Sequence, residues 1–216
     1  MRSILVQHLG EMGFDASDSS IRALEHFVFE LQKWNQKISL TSITKTEDMT
    51  IKHLLDSMAV IESVREERML LDIGSGAGIP AIPLKIMLPE TQVVSVDAVR
   101  KKIVFQRHVV RLLGLQGYVA MHARVENLYA SHSGCFNAIV SRAFSSLQTF
   151  ILLAAPLLTD GGRLIAMKGP TVDDEILCSS EFLQRSGFRV SSIQTYFLPN
   201  NMGERRLVIL SAARAR

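Results

Sequence analysis

Leu70-Leu71-Asp72-Ile73-Gly74-Ser75-Gly76-Ala77-Gly78-Ile79-Pro80-Ala81-Ile82-Pro83 decides how the chain folds. It reads as a short apolar strand, a glycine-rich turn and a helix that starts near the prolines. Glycines at alternate positions let the backbone turn tightly and leave no side chain to hold a ligand away. The helix that follows points its free N–H groups at whatever lies over the turn. A nucleotide-like ligand is the natural occupant.

Surface loops also collect glycine, so the neighbouring residues matter. Asp72 ends the first strand just before the turn, where a carboxylate can face a ligand rather than the sheet. A second strand, Gln92-Val93-Val94-Ser95-Val96, ends in Asp97, nineteen residues after Gly78. In a right-handed strand–helix–strand unit that end lies beside the first turn, so Asp97 can accept hydrogen bonds from a ribose diol. The plainer reading has Asp97 capping the helix that holds Lys101 to Leu113. The two carboxylates together favour the ribose.

The spacing then separates cofactor classes. A dinucleotide fingerprint needs its third glycine one place later, as G-x-G-x-x-G, for close helix–strand packing. Here the order is G-x-G-x-G, followed by Ile79-Pro80. Asp72 would repel a pyrophosphate but suits a ligand with a cationic amine. S-adenosylmethionine is such a ligand, and the turn favours it over NAD.

The rest of the chain agrees with an ordered α/β protein. Its 216 residues allow one α/β domain with a smaller appendage, and 47% of them are hydrophobic. The start, Met1 to His8, has too short an apolar run for a secretory signal, and no later stretch is long enough to span a bilayer. Cys135 and Cys178 lack zinc or disulfide-framework spacing, which fits reduced thiols in the cytoplasm and no metal. A net charge of +3 permits nucleic acid as a partner without requiring it.

Residues 1–66 read as a helical extension and residues 67–216 as the main domain. Ile21, Leu24, Phe27, Val28, Leu31, Trp34 and Ile38 recur at helical spacing, which makes Trp34 a core residue before a base-stacking platform. Thr44 to Glu47 has the form of a capping box, with a helix through Ile51, Leu54, Leu55, Met58 and Ile61. His53 and Asp56 share one face of that helix, and the plain expectation for them is a surface or interdomain hydrogen bond. Beyond Met69, strands are expected at 70–74, 92–97, 118–121, 136–140 and 163–167, with helices near 80–88, 99–113, 147–158 and 173–186. The helix at 99–113 carries Arg100, Lys101, Lys102, Arg107, His108 and Arg111, a solvated face before a phosphate-binding one. The last two strands, 189–196 and 205–210, have no helix between them. Pro199-Asn200-Asn201-Met202-Gly203 joins them as a hairpin. A mostly parallel seven-stranded sheet with a C-terminal antiparallel hairpin is the architecture of Rossmann-like class I S-adenosylmethionine-dependent methyltransferases. A dehydrogenase would usually continue its helical crossovers.

Ligands of open α/β sheets sit beyond the carboxyl ends of the strands. That rule gathers Asp72, Gly74, Gly76, Gly78, Asp97, Val125, Glu126, Arg142 and Lys168 around one crevice. Val125 can pack on an adenine, and Glu126 or its backbone can bond the ring edge. Arg142 follows the fourth strand, where a substrate-facing residue belongs, while Lys168 and Arg206 are weaker substrate-binding candidates. No Asn/Asp-Pro-Pro-aromatic tetrapeptide follows that strand, and no Pro-Cys pair is present. Amino-nitrogen and pyrimidine-carbon acceptors are therefore disfavoured. A ring nitrogen such as guanine N7 has an in-plane lone pair and no proton to lose, so alignment matters more than a general base.

Several separated motifs carry a resemblance from about Trp34 to the C-terminus. They are Trp34-Asn35 with Leu40-Thr41, His53-Leu54-Leu55-Asp56-Ser57, Asp72 to Pro80, Arg124-Val125-Glu126, Val140-Ser141-Arg142-Ala143 and Ala166-Met167-Lys168-Gly169. The sequence resembles the bacterial small-subunit (16S) ribosomal RNA guanine-N7 methyltransferases, the glucose-inhibited division protein B family. The resemblance implies S-adenosylmethionine as donor, S-adenosylhomocysteine as product, and a guanine of small-subunit ribosomal RNA or of the 30S particle as acceptor. By position it implies donor contacts at Gly74, Ile79, Val125, Glu126 and Arg142. It also makes His53 and Asp56 part of the packing between helical extension and catalytic domain. Ser39 stands where the family usually has asparagine, and Ala81 where it usually has glycine. A monomer with no membrane partner is expected. The alternatives are a non-catalytic RNA-binding or ribosome-assembly protein with the same fold, and a nucleotide-dependent oxidoreductase.

Overall fold

The computed structural model describes residues 1–142 and 146–213. Helices come first: α1 (Arg2–Glu11), α2 (Asp18–Asn35), α3 (Thr46–Met49), a π-helical turn (Thr50–Leu55), α4 (Asp56–Met58) and α5 (Ile61–Val64). Ser17 caps α2 by accepting the Ser20 N–H, and the expected stripe of Ile21, Leu24, Phe27, Val28 and Leu31 is buried. Trp34 packs its ring edge-on against Phe105 at 5.6 Å and is a partly buried residue at the margin of the core. The capping box at Thr44–Glu47 does not form. Lys45 stands at the N-cap of α3, and Gln32 donates to both the Thr44 carbonyl and the Thr46 hydroxyl.

The main domain alternates β1 (Met69–Ile73), α6 (Ala81–Met87), β2 (Gln92–Asp97), α7 (Arg100–Leu112) and β3 (Tyr118–His122). It continues through α8 (Tyr129–His132), β4 (Phe136–Arg142), α9 (Leu147–Ala154), β5 (Leu158–Lys168), α10 (Val172–Cys178) and α11 (Ser180–Ser186), and ends in β6 (Phe188–Phe197) and β7 (Glu204–Ala212). The seven strands lie in the order β3-β2-β1-β4-β5-β7-β6, with β7 antiparallel to both neighbours. The chain reverses its direction of travel across the sheet between β1 and β4, the place where ligands of such sheets bind.

Alternation along each strand divides the core in two. Leu70, Val93, Ala138, Ile165 and Leu207 join the core beneath the N-terminal helices, α6 and α7. Leu71, Val94, Ile139, Leu164 and Val208 join the opposite core, against α9 and α11. The helical extension therefore shares one apolar core with the sheet.

Two connections differ from the sequence reading. The fourth long helix ends at Ala154, because Pro156 sits in a 3-10 turn, and β5 begins at Leu158. Asp160-Gly161-Gly162 lies inside β5 as an irregularity, since Phe136 pairs with Leu158 and Ala138 with Arg163. A Cβ at Gly162 would stand 2.9 Å from the Asn137 carbonyl oxygen, which is why glycine occupies it. The helix expected over 173–186 breaks at Ser179 into α10 and α11.

Candidate active site

The turn after β1 is held from three directions. The Gly74 and Ser75 N–H groups donate to the Val96 carbonyl at 2.9 and 3.1 Å. The Gly76 N–H donates to Asp97 Oδ2 at 2.9 Å. Beneath the turn, Gln106 is fully buried and satisfied at every position. Its amide nitrogen donates to Ser75 Oγ and the Gly76 carbonyl, each at 2.8 Å, and its oxygen accepts from Ser95 Oγ at 2.6 Å and Tyr118 Oη at 2.9 Å.

The glycines do different work. Gly74, Gly76 and Gly78 have φ of +69°, +58° and +82°, in the left-handed region that favours glycine. A Cβ at Gly76 would meet nothing within 4 Å, so this face of the turn is open. A Cβ at Gly78 would lie 2.5 Å from Ile82 Cδ1 and 3.2 Å from Gln106 Cγ, which makes Gly78 a packing position.

The start of α6 does not offer free N–H groups. Ala81 N–H donates to Asp72 Oδ2 at 3.3 Å, Ile82 N–H donates to the Gly78 carbonyl at 2.7 Å, and Pro83 has no N–H. Asp72 is itself fully buried, and its Oδ1 has no hydrogen-bond partner. Burial, only partly offset by Ala81 and by the Arg142 charge, pushes its carboxyl up to about 7. Asp97 Oδ1 accepts the Val99 N–H at 2.7 Å in the turn that leads into α7, while Oδ2 holds Gly76. Among the described residues no side chain caps the helix itself.

Three cavities follow the carboxyl ends of the strands. The first, about 270 Å³, is lined by Gly74, Asp97, Val125, Glu126 and apolar Ile73, Val96 and Leu153. The second, about 240 Å³, is lined by Gly74, Gly76, Ile79, Thr41, His53 and Arg142. The third, about 420 Å³, is lined by Thr41, Lys52, His53, Asp56, Arg142, Lys168 and Arg205. Gly74 joins the first to the second, and Thr41, His53 and Arg142 join the second to the third.

The structure thus brings Gly74, Gly76, Ile79, Asp97, Val125, Glu126, Arg142 and Lys168 to one groove. Asp72 and Gly78 lie behind it. Lys168 lines the third cavity with Nζ bonded to Glu175 Oε1 at 2.9 Å. Arg206 lines none of the three and pairs with Glu204 at 2.7 Å. Its neighbour Arg205 takes the cavity position instead, because β7 alternates. Arg205 shares a face with Leu207, which packs under the N-terminal helices, whereas Arg206 shares a face with Val208 on the far side. Ala143, the last residue of the Val140–Ala143 motif, lies outside the described residues.

Sequence reasoning also missed what His53 and Asp56 touch. Arg142 Nη1 donates to the Lys52 carbonyl at 2.9 Å and lies 3.2 Å from His53 Nδ1 and 3.5 Å from Asp56 Oδ2. His53 Nδ1 also lies 3.1 Å from the Lys52 carbonyl, and its Nε2 is 3.0 Å from Thr41 Oγ1, so the ring is held at both nitrogens. Burial first, then the Arg142 charge, holds the His53 imidazole down at about 4, so it is neutral near pH 7. Among the described residues no group of His, Cys, Asp and Glu side chains is placed to hold a metal ion, and no helix is long and apolar enough to cross a membrane.

Solved structures with this fold include a ribosomal protein L11 methylase from Lactobacillus delbrueckii subsp. bulgaricus, at a TM-score of 0.58 and 18% identity, covering 76% of this chain and 79% of that one. TYW2 from M. jannaschii, solved in complex with AdoMet, matches at a TM-score of 0.59 and 12% identity over 82% and 78% of the two chains. These likenesses establish the fold. Sequence likeness goes further. A ribosomal RNA small subunit methyltransferase G from Geotalea uraniireducens (strain Rf4) is 44% identical, covering 97% of this chain and 95% of the relative. One from Geobacter sp. (strain M21) is 41% identical over 97% and 96%. The family model described as rRNA small subunit methyltransferase G matches residues 20–207, and the chain belongs to that family.

Proposed function

We propose that this protein moves the methyl group of S-adenosylmethionine to N7 of a guanine in small-subunit (16S) ribosomal RNA, leaving S-adenosylhomocysteine. One observation carries the reading of the site: Arg142 stands on the rim that the second and third cavities share. A donor lying over the glycine turn and an acceptor entering from the side of Lys168 and Arg205 would meet there.

The residues present fit this donor. Asp72 Oδ1 is a buried acceptor without a partner, and the open face of Gly76 admits a close approach. Asp97, with lone pairs to spare beyond its two backbone bonds and the Lys102 ammonium 3.7 Å from Oδ2, would accept from the ribose diol. Ile73, Val96, Val125 and Leu153 make an apolar slot for the adenine, with Glu126 at its edge. Gly74 and Ile79 would touch the methionine part, and Asp72 would answer its amine through the turn. When bound, S-adenosylmethionine supplies an electrophilic methyl whose C–S electron pair returns to sulfur as the acceptor's lone pair forms the new bond.

The chain's own part is alignment. A guanine N7 has no proton to remove, so no general base is assigned. The positive charge moves from sulfur to the base and is not created, which allows a cation at Arg142 to orient the acceptor without opposing the step. Lys168 and Arg205 give the third cavity the positive charge an RNA backbone seeks. The same reading places the protein in the cytoplasm as a monomer, acting on ribosomal RNA or the 30S particle.

The test is transfer of labelled methyl from S-adenosylmethionine to small-subunit RNA and to particles lacking the modification, with the nucleoside identified. Label in 7-methylguanosine supports the proposal. Donor binding with no label on any RNA form would indicate a non-catalytic RNA-binding protein. Arg142→Ala is expected to keep the fold and lose transfer, and unchanged turnover would remove Arg142 from the site.

A further inference from the structure

We propose that Asp56 is the positioning residue that sets the Arg142 guanidinium at the junction of the second and third cavities, an inference that rests on the methyl-transfer reading above. Among the described residues, Asp56 is the carboxylate ion-paired with Arg142. It is 3% exposed and follows directly on the π-helical turn that also presents the Lys52 carbonyl and His53 Nδ1 to the same Arg142 nitrogen. Short π-helical segments occur often at functional sites, where the wider turn re-aims backbone and side-chain groups.

The geometry is that of a clamp. Among the described residues the hydrogen bonds of Arg142 all use Nη1, which leaves Nε and Nη2 available to an acceptor at the wall of the two cavities that Arg142 lines. His53 is neutral near pH 7 and supplies no charge. Asp56 is the carboxylate in direct contact with the cation, and it is itself fixed from the other side. Tyr196 Oη donates to Asp56 Oδ1 at 2.8 Å, and Arg205 Nε lies 3.9 Å from that oxygen. Residues from the N-terminal helices, the end of β4 and the C-terminal hairpin thus meet at one carboxylate. A guanidinium fixed in direction presents its free N–H groups to an oxygen of the acceptor nucleotide, and a loose one does not.

The experiment uses the full chain, with S-adenosylmethionine and small-subunit particles lacking the modification. Asp56→Asn is expected to lower kcat about tenfold or more while the donor Kd stays within about threefold, and Tyr196→Phe to give a smaller fall in the same direction. In an Arg142→Lys background Asp56→Asn should add less than about twofold, since both changes act through one group. Full additivity, or an undiminished kcat in folded Asp56→Asn, overturns the proposal. A second readout does not depend on turnover. The Arg142 side-chain N–H resonances should be sharp in the natural protein, and should broaden or merge in Asp56→Asn. Unchanged resonances overturn the positioning role. If the natural protein transfers no methyl but these resonances respond, the functional reading falls and the clamp stands.

Discussion

Replacing Asp72 with asparagine should make the free protein more stable and the donor site worse. Asp72 is fully buried, has one weak backbone partner at 3.3 Å, and leaves Oδ1 unpartnered. Its carboxyl is pushed up from 3.8 to about 7 by burial. A carboxyl raised in the fold keeps its proton there while the unfolded chain has already lost it. Stability therefore falls as pH rises through that interval and stays low above it. At about 1.4 kcal/mol per pH unit, ionised Asp72 costs the free fold about 4 kcal/mol above pH 7 and about 2 kcal/mol at pH 5. Asparagine stays neutral and can still accept from Ala81, but its amide N–H groups lack partners, which costs about 1–3 kcal/mol.

The net expectation for Asp72→Asn is a gain of about 1–3 kcal/mol at pH 8 and little change at pH 5. Urea unfolding at the two pH values, without ligand, measures it. Calorimetric titration with S-adenosylmethionine should show affinity falling by about tenfold or more, since the charge answering the amine is gone. Equal stability of the two proteins at pH 8, or an unchanged donor affinity, would refute the reasoning. The first result would mean that Asp72 is not strained by burial, and the second that it does not serve the donor.

The other expectations separate support from contact. Gly76→Ala should lose only about 1 kcal/mol to left-handed backbone strain, a melting shift of a few degrees, because its Cβ meets nothing, yet bind S-adenosylmethionine much more weakly. Gly78→Ala should instead lose about 1–3 kcal/mol of stability through the clash with Ile82, and equal melting of the two variants would contradict the division of roles. Gln106→Leu strips partners from Ser75, Ser95, Tyr118 and the Gly76 carbonyl together, so thermal unfolding should show a loss on the order of 3 kcal/mol. His53 has a pKa held down in the fold, so the natural protein should lose stability as pH falls from 6.5 towards 4, by up to about 3 kcal/mol from this group. His53→Gln should remove that part of the acid sensitivity, and acid unfolding curves that superimpose would show that His53 does not titrate as its burial demands.

The side proposed for the donor was legible because it is local. Strand, glycine turn, helix and second strand run from Leu70 to Asp97, and a short-range pattern places all their groups in one unit. Even there the sequence misled at one point. Free N–H groups at the start of α6 were expected, but Asp72 and the Gly78 carbonyl use them, which only the three-dimensional path of the turn decides. The hairpin was legible from Pro199 to Gly203, whereas the irregularity at Gly161-Gly162 was not, because its cause is a carbonyl on the neighbouring strand.

The side proposed for the acceptor was mostly illegible because nothing local builds it. Arg142 meets Lys52, His53 and Asp56 across some ninety positions of sequence, and Asp56 meets Tyr196 across 140. No window contains such a pair, and the π-helical turn that aims them has the same apolar spacing as an ordinary helix. Arg205 is the instructive exception. The alternation of buried residues along β7 assigns its face once the cores are known, and Leu207 packs with the N-terminal helices. A strand read by period could have preferred Arg205 to Arg206, had it been known which face those helices cover. The acceptor cavity is thus set by where the helical extension docks. For that reason perturbing Asp56 or Tyr196, which fasten that docking to Arg142, tests the chemistry of the site more sharply than perturbing any residue of the glycine turn.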